Sequence, residues 1–415
     1  MSEPAPAAAP APSPWRDRRF RVFATGNVVN NIGEAVYAVA LPLFVYERTG
    51  SLTVMSLLAA LTPATLLIAP VLGALVDRYG SRVLVVPGLL VQAVAATALN
   101  LTGLAEHAPV WPLFVFGALV QLGGAAYRAG WMTGVAHMFP DNPVRSRGSL
   151  GSLYVITNVV GPLLVSLALI WVDYDVLLWL NVLTFLAPIA VWLMGVHPPR
   201  VTRKREGTLV GSLAEGWSVL RTRPVIFHAI LVYVPMLLVG TTGTLTLSQF
   251  RLQHEFALTA QQVGYVLVAV RVVGVLGTVL VSERKTFPFR AVVLIGTLGM
   301  GGCLLLMSAG SLPLFIGAMV AFFGFQSALS VASDLMTIKF LPADALGRAG
   351  GIVGLLMGLP VLAGPLVVPA LAAGIGSAAT FLTFGLVQLA GLLWLRRTWH
   401  AWSPAAEART SEVAV

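Results

Sequence analysis

The sequence predicts an all-α polytopic membrane protein: twelve transmembrane helices in two six-helix pseudo-symmetric bundles, both termini cytoplasmic. Three observations predict it. Of 415 residues, 57% are hydrophobic and only 10% charged, whereas soluble domains carry about 25% charged residues. Apolar runs long enough for a hydrocarbon core of ~30 Å recur along the whole chain. The basic residues are sorted to one side of those runs. The lone Cys303 excludes an intramolecular disulfide and any cysteine-rich metal site.

The chain opens with a flexible tail, residues 1–19, rich in Pro and Ala and lacking the basic-then-apolar order of a secretory signal. Apolar segments then run over 20–46, 52–76, 83–104, 110–138, 148–171 and 176–196. After a polar stretch at 197–224 they resume over 225–249, 261–282, 290–309, 312–338, 349–373 and 377–395. Only helices and closed barrels satisfy their backbone inside lipid. These runs are too long and too uniformly apolar for alternating barrel strands. Residues 291–333 and 349–395 contain no Asp, Glu, Lys or Arg, so SAGSLP at 308–313 and GIGS at 374–377 mark the turns that divide them.

With the N-terminus inside, the cytoplasmic segments hold 22 of the 26 Lys and Arg residues. The outer loops hold only Arg48 and Arg251, and Arg128 and Arg271 fall within spans. This asymmetry sets the topology and accounts for the net charge of +9 without a nucleic-acid partner. The stretch 197–224 separates an N-terminal bundle (20–196) from a C-terminal bundle (225–397), with a tail at 398–415. Within the linker, Leu213, Trp217 and Leu220 recur at helical spacing, as in a short helix at the membrane surface.

The halves repeat. Arg145, Gly148, Gly151, Gly161 and Pro162 return 203 residues later as Arg348, Gly351, Gly354, Gly364 and Pro365. Asp77-Arg78 returns as Glu283-Arg284, and Leu52-Thr53 as Leu258-Thr259, at an offset of 206. Parallel six-helix repeats of this kind place a cavity between two bundles that rock about it. Gly161, Pro162, Gly364 and Pro365 are the expected helix-packing positions.

Between the second and third segments stands Gly73-Ala-Leu-Val-Asp77-Arg78-Tyr-Gly80-Ser-Arg82. A glycine at 73 lets another helix approach closely. Asp77 suits the start of a neighbouring helix, where the dipole favours an anion. Arg78 and Arg82 can pair with carboxylates. The segment resembles the signature loop of the major facilitator superfamily, with Ser81 departing from the usual basic pair. The resemblance implies that fold and a conformational latch at Gly73, Asp77, Arg78, Gly80 and Arg82. Gly33-Glu34 and LPLFVYERTGS at 41–51 are similar to the macrolide- and siderophore-exporter branch. Ser166 stands where the exporters' helix-5 motif often has glycine. The helix-4 Arg-x-x-Gln-Gly motif of many drug–proton antiporters is absent: the segment reads Ala118-Leu-Val-Gln121-Leu122.

Four ionisable residues fall inside spans, where they are costly and usually functional: Glu34, Arg128, Arg271 and Asp334. The resemblance implies that helices 1, 4, 7 and 10 line the cavity. Glu34 and Asp334 are then the expected proton-coupling residues. An isolated carboxyl in apolar surroundings holds its proton more tightly than in water. Repeat alignment sets Asp334 one turn from the position opposite Arg128, which allows an Arg128–Asp334 interaction across the cavity or a static buried pair and leaves open whether the two meet. The expected cavity lining is Asn27, Asn30, Glu34, Tyr37, Tyr127, Arg128, Trp131, Phe323 and Gln326, and the expected aromatic wall is Tyr37, Tyr127, Trp131, Phe323 and Phe325. The alternatives are a structural role for Glu34 beside Asn30, Asn31 or Tyr37, and core packing for the aromatics.

No Gly-Lys dipeptide and no HExxH pair occur, so neither a P-loop nor that zinc site is written in the chain. No cofactor, metal or catalytic residue is expected, and the chain does not read as an enzyme. The expected function is proton-coupled efflux of a hydrophobic or amphipathic small molecule, such as an antibiotic or siderophore, from a bacterial inner membrane. The expected partners are that substrate, protons and membrane lipid, with the chain acting as a monomer. The alternatives are a metabolite importer or lipid-flipping facilitator of the same fold, or a non-transporting membrane sensor.

Overall fold

The computed structural model describes residues 13–104, 108–140, 143–199, 217–218, 220–221, 224–240, 242–282, 289–340 and 346–398. Ten of the described helices are long and apolar enough to cross a membrane. Of the other two expected spans, the second is built from shorter helices and the seventh is described on either side of residue 241.

The first span is α1 (Arg18–Thr49). The Asp17 carboxylate caps it by accepting from the Arg19 amide at 2.7 Å, and Gly50 closes it at φ 60°. The second span is α2 (Leu52–Ala64), a 3-10 turn (Thr65–Leu67) and α3 (Ala69–Tyr79). Pro63 and Pro70 flank the break; neither has an N–H to give the helical ladder. Continuous helices α4 (Arg82–Gly103), α5 (Trp111–Met138) and α6 (Pro143–Ala168) follow. The sixth span bends at Phe185 between α7 (Tyr174–Thr184) and α8 (Leu186–Leu193). In the second half, α9 (Pro224–Gly240) and α10 (Thr242–His254) make the seventh span. Then come α11 (Ala260–Ser282), α12 (Phe289–Met307), α13 (Leu312–Phe340), α14 (Leu346–Ile375) and α15 (Ser377–Thr398). Of the expected surface helix, Leu213 lies outside the described residues and Leu220 is buried.

The repeat seen in the sequence recurs as repeated contacts. A Cβ on Gly161 of α6 would stand 2.5 Å from the Ala35 Cβ on α1. A Cβ on Gly364 of α14 would stand 2.7 Å from the Leu238 carbonyl on α9. Ala35 and Leu238 are themselves 203 residues apart, the offset of the glycines. Each glycine therefore lets equivalent helices touch backbone to backbone. Ser166, at the expected glycine position, donates to the Pro162 carbonyl at 2.7 Å and packs on Gly264 of α11.

The two outer arginines follow the same offset. Arg48 donates to the carbonyls of Gly103 and Ala108, at and beyond the end of α4. Arg251 donates to the carbonyls of Met307 and Ala309, at and beyond the end of α12. A helix C-terminus leaves carbonyls without intrahelical partners and carries partial negative charge, so a guanidinium satisfies both needs. Arg251 is 4% exposed, pairs with Glu255 at 2.7 Å and lies over the rings of Phe256, Phe315 and Phe381. Neither arginine sets topology; each ties its own half together.

The halves meet at one end and part at the other. On the outer side, α2 packs across the seam on α10 and α14, and α6 packs on α11. Tyr46 stands edge-on to Phe250, ring centroids 5.4 Å apart. On the inner side, α3 packs on α4 and α5 of its own half, and α9 on α13, α14 and α15 of its own. Among the described residues, the structure is thus open towards the side that carries the basic loops.

This opening changes the reading of the latch. A Cβ on Gly73 would have nothing within 4 Å, so the expected close helix approach is not made in this state. Gly151 and Gly354, also in inner halves, are equally unobstructed. The side chains of Asp77 and Arg78 lie outside the described residues. Gly80 ends α3 at φ 84°, a backbone region that favours glycine. Arg82 does not meet a carboxylate among the described residues. Its Nε donates to the Pro198 carbonyl at 2.6 Å, and its guanidinium contacts His197 at 2.6 Å and covers the Trp192 ring. It fastens the start of α4 to the end of the sixth span.

Two predictions follow from these contacts. Arg251→Gln strands two carbonyls and Glu255, and is expected to cost about 3 kcal/mol, read as a lower melting temperature in detergent. Gly73→Trp is expected to block inner closure. In a Tyr46→Cys/Phe250→Cys background it should keep the outer cysteines cross-linkable through substrate addition, whereas the parent background loses the cross-link on cycling.

Candidate functional site

The site begins as a polar stripe on an apolar helix. Asn27, Asn30, Asn31 and Glu34 recur three and four residues apart, so they share one face of α1. Asn31 Nδ2 donates to Asn27 Oδ1 at 2.9 Å, and Asn27 Nδ2 donates to Tyr127 Oη at 3.5 Å. Asn30 Nδ2 donates to Glu34 Oε1 at 3.1 Å. Gln92 Nε2 of α4 donates to the same oxygen at 3.3 Å. Arg128 Nη2 of α5 reaches Glu34 Oε2 at 3.5 Å.

Three helices therefore converge on one carboxylate near the middle of the span. Their close approach is written in glycines. A Cβ on Gly123 of α5 would stand 2.7 Å from the Gly88 carbonyl of α4. One on Gly124 would stand 2.7 Å from Gln92 Nε2 and 3.9 Å from Glu34 Oε1. The small residues at 88, 123 and 124 draw α4 against α5 and bring Gln92 to Glu34.

Several expectations change here. Glu34 is not isolated: it has two amide donors and a guanidinium. Arg128 pairs with Glu34; the side chain of Asp334, the partner allowed by the repeat, lies outside the described residues. The Glu34 side chain is 22% exposed and that of Arg128 is 45% exposed, so the pair is not sealed inside the bundle. Of the rings expected to form an aromatic wall, Phe325 is partly buried and covers Gly299 of α12. Tyr37, Tyr127, Trp131 and Phe323 are all buried. Phe323 stands edge-on to Phe322, and its carbonyl faces Gly274 of α11. Trp131 and Tyr127 line a cavity of about 20 Å³ with Phe23, Asn27 and Trp192, inside the N-terminal half. That is room for about one water. Gln326 is half-buried and far from this cluster in sequence.

Gln92 was not among the expected site residues. The carbonyl oxygens of both Gln92 and Asn30 are buried without a partner, while their amide nitrogens face the carboxylate. The cluster is thus organised around the charge on Glu34, even at the cost of two unpaired acceptors.

A carboxylate with a guanidinium partner in low dielectric is a charge pair that protonation breaks. Such a pair, not sealed inside the bundle of a two-bundle membrane protein, fits secondary transport. The Major Facilitator Superfamily profile matches residues 23–286 of this chain. The chain belongs to that superfamily. It is an all-helical, multi-pass membrane protein. Over 269 residues it is 32% identical to the multidrug efflux pump Tap of Mycobacterium tuberculosis, covering 58% of this chain and 63% of that protein. Over 225 residues it is 23% identical to macrolide efflux protein A of Streptococcus pyogenes, covering 52% of this chain and 55% of that protein. The chain thus spans less than two thirds of the length of these curated relatives. A variant of the nucleoside transporter NupG superposes with a TM-score of 0.72 at 12% identity, over 91% of this chain and 99% of that one. A POT family transporter in complex with a thioalcohol-conjugated peptide superposes with a TM-score of 0.71 at 13% identity, over 92% and 96%. At those identities the likeness shows the fold of a major facilitator and nothing finer.

Gln92→Leu keeps the volume and removes one of three donors to Glu34. It is expected to cost about 1–2 kcal/mol in thermal unfolding, and Gln92→Ala, which also leaves a void, should cost at least as much.

Proposed function

We propose that this transporter is a proton-coupled exporter of a hydrophobic or amphipathic small molecule, an antibiotic-like drug or a siderophore, in the bacterial cytoplasmic membrane. The observation that carries this reading is the Glu34–Arg128 pair, held at 3.5 Å and not sealed inside the bundle. The named relatives are efflux proteins, which supports the outward direction.

In the proposed cycle the two bundles, 20–196 and 225–397, move as bodies about the chamber. Cargo enters from the inner side in the state described above. Outer opening then exposes Glu34 to the outer medium. A proton taken there neutralises the carboxylate and frees Arg128, and its release inside restores the pair. Asn30 and Gln92 hold the carboxylate in place through the cycle. Binding energy supplies the bias between the two states only where cargo or proton contacts them differently.

The test is Glu34→Gln, which keeps shape and hydrogen bonding and removes the titrating charge. In liposomes with an imposed proton gradient, uphill substrate movement is expected to fall by about tenfold or more, while downhill exchange persists. Uphill transport at the parent rate would remove Glu34 from the coupling step. Arg128→Gln is expected to slow both modes, since it strands the carboxylate.

A further inference from the structure

Asn27 and Tyr127 line a cavity that the charge pair does not use. It lies inward of Glu34: Asn27 is two turns nearer the start of α1, about 10 Å along the helix. Both side chains are buried, Asn27 at 2% exposed and Tyr127 at 3%. Their direct contact, Asn27 Nδ2 to Tyr127 Oη, is 3.5 Å long. The ordinary range for such a bond is about 2.7–3.2 Å, and polar groups held further apart are commonly bridged by water. The Tyr127 hydroxyl accepts in that contact, and its own proton meets no acceptor among the described residues. Asn27 Oδ1 accepts from Asn31 at 2.9 Å, and a carbonyl oxygen has a second lone pair to offer. The cavity measures about 20 Å³, and about 10–15 Å³ suffices for one water.

The inner wall of the same cavity is made by residues of one clasp. Trp192, Val196 and Pro198 line it. Arg82 holds two of them: its Nε donates to the Pro198 carbonyl at 2.6 Å, and its guanidinium lies over the Trp192 ring at 5.7 Å. His197 touches that guanidinium at 2.6 Å and packs on Trp192, ring centroids 4.9 Å apart. Pro198 is seated on α5, where a Cβ on Gly134 would stand 2.5 Å from its ring. We infer that the cavity is a binding site for a single water molecule, which accepts from the Tyr127 hydroxyl and donates to Asn27 Oδ1, and that the Arg82 clasp seals it from the inner medium. Most of the remaining lining is aromatic and aliphatic, and an apolar cavity stays dry. The two polar groups are therefore what holds the water. The inference concerns hydration and stands whatever the chain carries and in whichever direction.

The test uses the full chain in phosphatidylcholine nanodiscs. Brief X-ray irradiation turns water into hydroxyl radicals, which mark a buried side chain where water stands beside it. Mass spectrometry reads the oxygen added at each residue. Tyr127 is expected to be marked about tenfold or more faster than Tyr37 and Tyr233, which are buried to a like degree. Tyr127→Phe keeps the ring and removes the donor, so marking of Trp131, on the same cavity, should fall several-fold. Asn27→Leu should lower the marking of both Tyr127 and Trp131, and Tyr127→Phe carries the test if Asn27→Leu does not fold. Mixing into water enriched in heavy oxygen just before irradiation reads the seal. The parent should add light oxygen from its trapped molecule, and Arg82→Gln heavy oxygen from the medium. Marking of Tyr127 no faster than that of Tyr233, or marking of Trp131 unchanged in Tyr127→Phe, overturns the site. The same isotope in the parent and in Arg82→Gln overturns the seal.

Discussion

A carboxylate in the middle of a hydrocarbon slab has to be compensated on the spot, and the N-terminal half is arranged around that requirement. Glu34 supplies the charge. Asn30 is its neighbour one turn away, and Gln92 and Arg128 come from two other helices. The approach of α4 to α5 through Gly88, Gly123 and Gly124 brings the second amide within reach. Remove the charge and the glycine contacts remain, but the two amides lose their reason for facing inward. Leave the charge without its donors and the span no longer pays for itself in lipid. Packing and electrostatics therefore specify the same geometry, and neither explains it alone.

The gene-level repeat has become a mechanical one. Ala35 with Gly161, and Leu238 with Gly364, are the same contact made twice. Arg48 and Arg251 are the same brace made twice, each on the carbonyls that end a neighbouring helix. The charge site breaks this symmetry. The position 203 residues after Glu34 is Leu237, an aliphatic residue on α9. At this position one half holds a carboxylate and the other an aliphatic side chain.

Most of the architecture was legible in the chain because hydrophobic length and charge placement dictate it directly. The interruptions of the second and sixth spans were not, since their apolar runs are unbroken and in the second only Pro63 and Pro70 hint at it. Glu34 and Arg128 were each legible as costly membrane charges. Their partnership was not, because it depends on how α1 and α5 are rotated about their own axes, which periodicity leaves open. A repeat alignment pointed Arg128 towards Asp334 instead. Gln92 went unnoticed because one amide in an apolar span usually serves packing; the nearby glycines at 88, 123 and 124 were the available signal. The outer arginines looked like exceptions to a topology rule, although their separation of 203 residues marked them as a repeated device.

The braces at the outer end also decide what kind of door that end is. Arg48, Arg251 and Glu255 spend their charges within their own halves. Among the described residues, what crosses the seam there is Tyr46 against Phe250 and His254, and small side chains such as Gly264 against Ser166. Parting those surfaces wets rings and methyl groups but separates no ion pair. The work of opening outward is then mostly the work of hydration, which varies with temperature and hardly with ionic strength. Salt in the medium outside has little grip on this door, and the lock that answers to charge sits deeper, at Glu34.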